Sequence, residues 1–367
     1  MRAEPIATTK RTYRYAAARK KYGFAVLLAS GGLAVLGVVL TVTMGPLNIS
    51  AADMTTVLLS RLGLASAETV SAVKIGVIEN IRMPRALLGF LVGASLGSAG
   101  AAMQGFFRNP LADPGLIGVS TGGALAAVGV IVLGGAFLAP AMAIFGSFTL
   151  PIIAFLGSLA AVALIYQVSL IEGRVIVATM LLAGVAANAL AFSGIGYMTF
   201  LADDNQLRDL TFWTLGSLGG AIWERVLPAA LLMCLSVAGL MTLARPMNCL
   251  LLGEADATTL GVNVEAVKRR AALLTALGVG AATAVCGVVG FVGLVVPHLV
   301  RLLTGPDHRY VLPGSALLGA ALILFSDLVV RLTVAPAELP LGVVTAAIGA
   351  PFFFWLLIKD KRQGVYG

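Results

Sequence analysis

The chain has 367 residues, of which 59% are hydrophobic and only 11% are charged, and its mean hydropathy is +0.98. A soluble domain of this length would carry about a quarter charged residues, so most of this surface must face lipid and a soluble fold is excluded. The formal charge of +8 does not indicate nucleic-acid binding, because the basic residues cluster beside apolar segments, as orientation signals do in membrane proteins.

The first 22 residues predict a basic cytoplasmic tail, and residues 23–367 a single transmembrane permease domain. The tail carries seven Lys or Arg residues against one Glu. The apolar run at residues 24–44 is too long for the core of a signal peptide and long enough to cross a bilayer. We therefore predict a first transmembrane helix with its N-terminus in the cytoplasm.

Nine further apolar runs predict transmembrane helices, at residues 84–106, 114–134, 148–168, 178–200, 224–244, 271–289, 291–303, 313–332 and 340–358. The run at 291–303 is short for a full crossing and predicts a half-helix or an extension of its neighbour. With ten spans, 18 of the 25 Lys and Arg residues fall on the side of the N-terminus, which marks that side as cytoplasmic. The sequence thus predicts an all-α polytopic membrane protein of about ten helices with both termini in the cytoplasm.

Two arginines, Arg82 and Arg85, flank a Met-Pro pair at the predicted outer start of the second span. Because an Arg within the membrane costs several kcal/mol, we expect both side chains to lie at the interface and face water. With Arg331 at another outer helix end, they would form a basic face suited to carboxylates. Anchoring to lipid headgroups explains them equally well on physical grounds.

Glycines recur at every fourth position within the second span, at Gly89, Gly93 and Gly97. This spacing puts them on one face of the helix, where a neighbouring helix can approach closely.

The segment RNPLADPG, residues 108–115, predicts a tight turn at the cytoplasmic side. Pro110 and Pro114 cannot continue a helix, and Asn109 and Asp113 suit turns or helix caps. The second span therefore ends here, and the third starts near Pro114.

The longest polar segment in the second half of the chain lies between spans, at residues 251–274. It predicts a short amphipathic helix, a Leu-Gly-Val turn and a second short helix that ends at Arg270, both on the cytoplasmic face. Its mixture of apolar and acidic residues favours a surface for a soluble partner over a solvated loop.

Several blocks of the sequence closely resemble the FecCD-type permeases, which are the membrane subunits of type II ABC importers for iron–siderophore complexes, haem and cobalamin. The resemblance runs from residue 81 to the C-terminus and rests on MPRALLGFLVGASLG, RNPLADPGLIGVSTGGAL, LGEADATTLGVNV, GFVGLVVPHLVRLL and ELPLGVVTAAIGAPFFFWLL. It implies the type II importer fold, in the bacterial inner membrane. It also implies a homodimer with one central pathway, two cytoplasmic ATPase subunits and a periplasmic substrate-binding protein.

Site residues follow from the resemblance by position. It implies docking of the binding protein at Arg82, Arg85 and Arg331, and a cytoplasmic gate at Asn109 and Leu111. Coupling helices at about residues 251–270 would meet the ATPase, and the residues carried over for that contact are Gly253, Glu254, Ala257, Leu260 and Gly261.

The substrate is expected to be haem, because residues 203–223 resemble haem permeases more than siderophore or cobalamin relatives; a ferric siderophore or cobalamin is the alternative. The fifth span would line the pathway, with Tyr197, Met198 and Phe200 forming an apolar wall. Arg208 would either attract haem propionates or cap a helix or pair with a neighbouring Asp.

The chain is expected to be a transport subunit that works by alternating access, with no catalytic residues, no metal site and no permanently bound cofactor. It lacks a Walker A motif, so ATP would bind to a separate chain. A stand-alone secondary transporter is the rival, but it would need ionisable groups at mid-membrane, where only Asp327 is a candidate. A membrane-embedded enzyme is a second rival, but His298 and His308 lack metal-ligand spacing.

Overall fold

The computed structural model describes residues 6–64, 66, 68–333 and 339–362, so the residues of the basic tail before Ile6 lie outside the described part. The chain is almost entirely helical. Its helices are α1 (Ile6–Thr43), α2 (Ala51–Arg61), α3 (Ala72–Val77), α4 (Met83–Phe106), α5 (Val119–Phe137), α6 (Ala139–Phe145), α7 (Thr149–Ser169), α8 (Val177–Leu201), α9 (Asp204–Leu215), α10 (Trp223–Thr242), α11 (Ala244–Leu250), α12 (Glu254–Thr259), α13 (Val264–Cys286), α14 (Val292–Thr304), α15 (His308–Thr333) and α16 (Leu341–Arg362).

Shorter elements connect some of these helices. A π-helical turn, Ile78–Arg82, joins α3 to α4, and 3-10 turns at Pro114–Ile117 and Gly146–Phe148 precede α5 and α7. Two short strands, β1 (Leu170–Ile171) and β2 (Arg174–Val175), form an antiparallel hairpin between α7 and α8.

Each of the ten predicted spans corresponds to a helix. Seven helices of the described chain are long and apolar enough to cross a membrane, and three shorter apolar helices, at Val119–Gly135, Val292–Thr304 and Leu341–Leu356, complete the ten. The prediction of an all-α polytopic membrane protein with about ten helices is therefore confirmed.

The first helix begins at Ile6, far before its predicted start at residue 24. Ala, Arg and Lys have high helix propensity, so the basic tail and the apolar part, Lys21–Thr43, form one continuous helix. The boundary at residue 22 is thus a change of composition and not a break in the backbone.

Helix α4 lies at the centre of the bundle, where it packs against α15, α13, α10 and α14. In its most apolar window 89% of the residues are buried, against 17% for α8. The glycine face is confirmed as the close contact: a Cβ at Gly93 would lie 2.2 Å from the carbonyl oxygen of Gly319, and one at Gly97 would lie 2.0 Å from that of Ser315.

Helix α14 does not extend across the whole bundle. Its 13 residues span about 20 Å, less than the roughly 30 Å of a bilayer core. It begins beside the second half of α4, where the carbonyl of Gly293 faces Gly100. The predicted half-helix is therefore confirmed.

The elements that the sequence analysis did not predict lie at the two ends of the bundle. One end, called here the α2 end, holds α2 and α3; a capping box formed by Ser50 and Asp53 starts α2. The opposite end, the α12 end, holds α11 and the β1–β2 hairpin, together with α12, which is the short amphipathic helix predicted within residues 251–274. All of these elements are too short or too polar to register as spans.

The prediction of a second short helix ending at Arg270 is wrong. Helix α13 runs without a break from Val264 to Cys286. No Gly or Pro interrupts residues 264–277, so the charged turn continues directly into the apolar span.

Candidate functional site

Arg82 lies at the α2 end, in the π-helical turn before α4, and its side chain is buried. Its guanidinium donates hydrogen bonds to the carbonyl oxygens of Val42 and Thr43, both at 2.7 Å, and of Leu47. The last carbonyls of a helix have no partner within it and form the negative end of its dipole. The end of α1 is therefore a natural acceptor for this cation.

Arg85 and Arg331 share the carboxylate of Asp327. Arg85 Nη2 lies 2.9 Å from Asp327 Oδ1, and Arg331 Nε lies 3.1 Å from Asp327 Oδ2. Arg331 also donates hydrogen bonds of 3.2 Å to the carbonyls of Met44 and Thr41. Buried charges need such partners, and the three arginines together fasten α1, α4 and α15 at this end.

The expectation that Arg82 and Arg85 face water is wrong, because their side chains belong to residues only 3% and 7% exposed. Their partners, the carbonyls at the end of α1 and the Asp327 carboxylate, come from distant parts of the sequence, so neither was visible as a partner in the local pattern. The docking role of these arginines stays a prediction.

The predicted pathway residues lie near the α2 end of α8. Tyr197 is 61% exposed and Phe200 84% exposed, and Met198 is half-buried. This end of α8 therefore presents a broad apolar surface that a single copy of the chain leaves uncovered.

Arg208 lies on α9, directly after α8, and is exposed. Among the described residues it forms no ion pair with Asp204 or Asp209, which were its predicted alternatives. The start of α9 is capped instead by Asp203 together with Gln206. The guanidinium is accordingly open to an anion from outside the chain.

The loop between α4 and α5 is held by its own side chains. Asn109 Oδ1 accepts a hydrogen bond from Leu111 N–H at 2.9 Å, and the Asp113 carboxylate accepts one from Gly115 N–H at 2.7 Å. Pro114 begins the 3-10 turn, so the predicted turn and caps are confirmed. Burial raises the pKa of Asp113, although the hydrogen bond from Gly115 opposes this. The gate role of Asn109, which is exposed, and Leu111, which is half-buried, stays a prediction.

Asn188, which the sequence analysis did not identify, links α8 to this loop. Its Nδ2 donates a 3.2 Å hydrogen bond to the Gly115 carbonyl, and its Oδ1 accepts one from the Thr121 hydroxyl. Beside it, a Cβ at Gly184 would lie 2.0 Å from the Leu116 carbonyl oxygen. A lone Asn in an apolar span was the available signal, since such amides often bond to a second helix.

The predicted coupling residues lie on and around α12. The helix lies between Gly253, with φ of 126°, and Gly261, with φ of 83°. Both values are in the region of positive φ that favours glycine. Ala257 is fully buried, whereas Leu260 is 61% exposed. The helix is thus anchored on one side and offers an apolar side chain on the other, as a partner contact requires. Its role in ATPase coupling stays a prediction.

A groove of about 620 Å³ lies beside α12. Its lining comes from the hairpin, α12 and the start of α13, and consists of Arg174, Glu254, Ala255, Thr258, Gly261, Val262, Asn263, Val264 and Glu265. The hairpin and the segment around α12 therefore form one continuous surface.

Within the described residues, no group of three or more His, Cys, Asp or Glu side chains is arranged to hold a metal ion. Cys234, Cys249 and Cys286 are unpaired.

The chain matches the model of the FecCD transport family over residues 33–359. It is 45% identical over 285 residues to the hemin transport system permease protein HmuU of Yersinia pestis, covering 77% of this chain and 84% of that protein. It is 42% identical over 286 residues to the cobalamin import system permease protein BtuC of Halobacterium salinarum, covering 78% and 74%. A solved inward-facing structure of an ABC transporter of the metal-chelate type aligns with a TM-score of 0.78 at 29% identity, covering 91% of this chain and 99% of that one.

Proposed function

Because the chain belongs to the FecCD transport family of ABC importer permeases, we propose that it carries haem across a bacterial inner membrane. Two copies would enclose the pathway, separate ATPase subunits would bind at the α12 end, and a periplasmic protein would deliver haem at the α2 end. Both termini would then lie in the cytoplasm.

Family membership also decides between the classes of function that the sequence left open. The chain is a transport component of an ABC importer, so the alternative of a stand-alone secondary transporter is wrong. Asp327 was the candidate for ion coupling, but its carboxylate forms ion pairs with Arg85 and Arg331.

The similarity to a hemin permease is the observation that carries the choice of haem. The identity of 45% to HmuU exceeds the 42% to the Halobacterium salinarum cobalamin permease and the 38% to the vitamin B12 permease BtuC of Escherichia coli. The difference is small, so cobalamin and ferric siderophores are the competing substrates in the test below.

The side chains at the α2 end of α8 are suited to binding a flat, amphipathic anion. Tyr197 and Phe200 offer aromatic faces on which a macrocycle can stack. Arg208 offers a guanidinium that can bind a carboxylate in bidentate fashion. Haem combines an apolar ring with two carboxylates, so both features match it.

We also propose that the binding protein docks at Arg82, Arg85 and Arg331. Because these side chains are already paired, docking requires them to exchange partners. Acidic side chains of the binding protein would have to exchange with Asp327 or with the carbonyls at the end of α1. Docking would therefore be coupled to a rearrangement at the α2 end.

The test is ATP-dependent uptake in proteoliposomes that contain the permease, its ATPase and its binding protein. Haem, a ferric siderophore and cobalamin are supplied separately and in competition. Saturable haem uptake that the other two do not inhibit supports the proposal, whereas preferential uptake of cobalamin or of the siderophore overturns it.

A variant pair tests the contribution of Arg208. Arg208→Gln should raise the haem concentration for half-maximal uptake about tenfold, as expected when one charge-assisted contact is lost, and Arg208→Lys should recover part of it. Arg245→Gln, the same change at an exposed position of the α12 end, is the matched control. Equal behaviour of the two Gln variants would exclude a contact between Arg208 and haem.

A further inference from the structure

Lys268, in the second turn of α13, is 2% exposed. A buried ammonium is unfavourable unless close partners compensate for its lost hydration. Lys268 Nζ lies 2.8 Å from a Glu254 carboxylate oxygen and 3.6 Å from one of Glu265, and it donates a 3.2 Å hydrogen bond to the Val175 carbonyl. Two carboxylates and one carbonyl therefore surround it.

The neighbouring Glu265 completes the contact with the hairpin. Its carboxylate accepts a 3.0 Å hydrogen bond from Val175 N–H. Val175 is paired with Leu170 across the hairpin, and its side chain is buried. Both backbone polar groups of Val175 are thus held by side chains of α13.

The cluster formed by Lys268, Glu254, Glu265 and Val175 connects α12 to the start of α8. Glu254 is the first residue of α12, and Val175 lies two residues before α8. A single ammonium therefore binds the segment proposed to meet the ATPase and the segment that leads into the pathway helix. Farther along α8, Asn188 binds the Gly115 carbonyl of the gate loop, so the contacts continue from α12 to that loop.

We propose that Lys268 is the positioning residue that couples movement of α12 to movement of α8, by holding Glu254 and the Val175 end of the hairpin together. The inference rests on the proposed function, in which an ATPase moves α12. A displacement of α12 would then carry the hairpin and the first turn of α8 with it, and Asn188 would pass the displacement to the gate loop.

Removal of the charge should leave a folded protein. The side chains of Glu254 and Glu265 are 43% and 32% exposed, so both carboxylates can regain water when the ammonium is absent. Lys268→Met keeps the length of the side chain, and its apolar end suits the buried position. Lys268→Arg retains a cation that can bind both carboxylates.

The experiment measures ATP hydrolysis and substrate uptake on the same proteoliposomes of the assembled complex. Lys268→Met should lower the uptake per ATP hydrolysed about tenfold, in the usual range of coupling between sites, while the ATPase subunit stays bound. Lys268→Arg should recover most of the ratio. Lys74→Met breaks a Lys–carboxylate ion pair with Asp53 at the α2 end and should leave the ratio unchanged.

A second measurement does not depend on the substrate. Spin labels at Glu172→Cys in the hairpin and Thr258→Cys in α12, with the native cysteines replaced by alanine, report their distance with and without ATP. The coupling is supported if the distance distribution is narrow in the otherwise unchanged protein, both with and without ATP, and becomes broader in Lys268→Met. An unchanged distribution and uptake ratio in Lys268→Met, or loss of the ATPase subunit from that variant, overturns it. Failure of the wild-type complex to import haem would instead contradict the proposed substrate.

Discussion

Arg85 and Asp327 form an ion pair with 2.9 Å between Nη2 and Oδ1, and both residues are almost completely buried. They join α4 to α15, which form an extensive contact in the bundle. Arg331 binds the same carboxylate, and Arg82 lies close by on the carbonyls at the end of α1. Three guanidinium groups against one carboxylate leave a net charge of +2, so an acidic partner would still be attracted to this end.

Replacement of Asp327 by Asn should destabilise the protein markedly. The change leaves Arg85 and Arg331 buried without their shared negative charge, and breaking a buried pair in this way costs about 3–5 kcal/mol. The thermal midpoint of the detergent-solubilised permease measures the effect. Asp53→Asn, which removes the carboxylate of the half-buried pair with Lys74, serves as the control and should change the midpoint much less. Equal shifts in the two variants would contradict a structural role of Asp327.

The burial of Arg82, Arg85 and Arg331 determines how their docking role can be tested. Replacing Arg82, Arg85 and Arg331 by Glu would introduce buried negative charges beside Asp327 and the α1 carbonyls, so lost docking and lost stability would coincide. The affinity for the binding protein should therefore be measured on single Gln variants whose thermal midpoints are known. A variant that retains its midpoint and loses affinity supports direct docking.

Gly97→Ala should destabilise the contact between α4 and α15. The new methyl group would lie 2.0 Å from the Ser315 carbonyl oxygen, and because this oxygen belongs to helix backbone, the two helices would have to separate. Overpacking of this kind costs about 1–3 kcal/mol. Gly129→Ala, also within a helix but with no atom within 4 Å of the new methyl group, is the matched control and should be neutral or stabilising by up to about 1 kcal/mol. Thermal midpoints that do not separate the two variants would contradict the close contact.

The sequence predicted the membrane architecture because the relevant signals are local. Apolar runs located the ten helices, the glycine spacing in α4 identified its packing face, and Asn109 and Asp113 identified the turn that they stabilise. Each of these features depends on the properties of adjacent residues or of one helix face.

The arginine cluster and the contacts of Lys268 were less predictable because they depend on distant partners. Arg82 was expected in water, but the carbonyl groups of Val42, Thr43 and Leu47 accept its hydrogen bonds. Lys268 was only one of the 18 basic residues that marked the cytoplasmic side, yet it binds Glu254 and Val175. A buried charge is recognisable only once its counter-charge has been found in three dimensions.

Asn188→Leu should loosen the loop at residues 114–118. Leu has a similar size but cannot bond to the Gly115 carbonyl or accept from Thr121. Loss of one net hydrogen bond, about 1 kcal/mol, corresponds to roughly fivefold faster local opening. Hydrogen exchange at the backbone amides of residues 115–118 measures it, and Thr121→Ser, which keeps the hydroxyl donor, should exchange like the wild type. Unchanged exchange in Asn188→Leu would mean that close packing at Gly184 alone holds the loop.

The acid stability of the protein should depend on Asp307, in the turn before α15. Partial burial opposes ionisation of its carboxyl, but hydrogen bonds from Arg309 and Asn248 outweigh this and lower its pKa from 3.8 to about 2. A carboxyl with a lowered pKa contributes stability that is fully present above its ordinary pKa and is lost as the pH falls through the folded value. Because solvent screens the pair with the largely exposed Arg309, the contribution is about 1 kcal/mol and should disappear between about pH 4 and pH 2.

Asp307→Asn should therefore reduce stability at pH 6 and flatten the dependence of the thermal midpoint on pH between 5 and 2. Arg309→Gln should flatten it partly, because the hydrogen bonds from Asn248 and from the Arg309 backbone N–H remain. Parallel curves for the wild type and Asp307→Asn would show that Asp307 does not supply the acid-sensitive stability. In the loop between α4 and α5, burial shifts the pKa of Asp113 in the opposite direction, so the contribution of Asp113 to stability should instead fall as the pH rises.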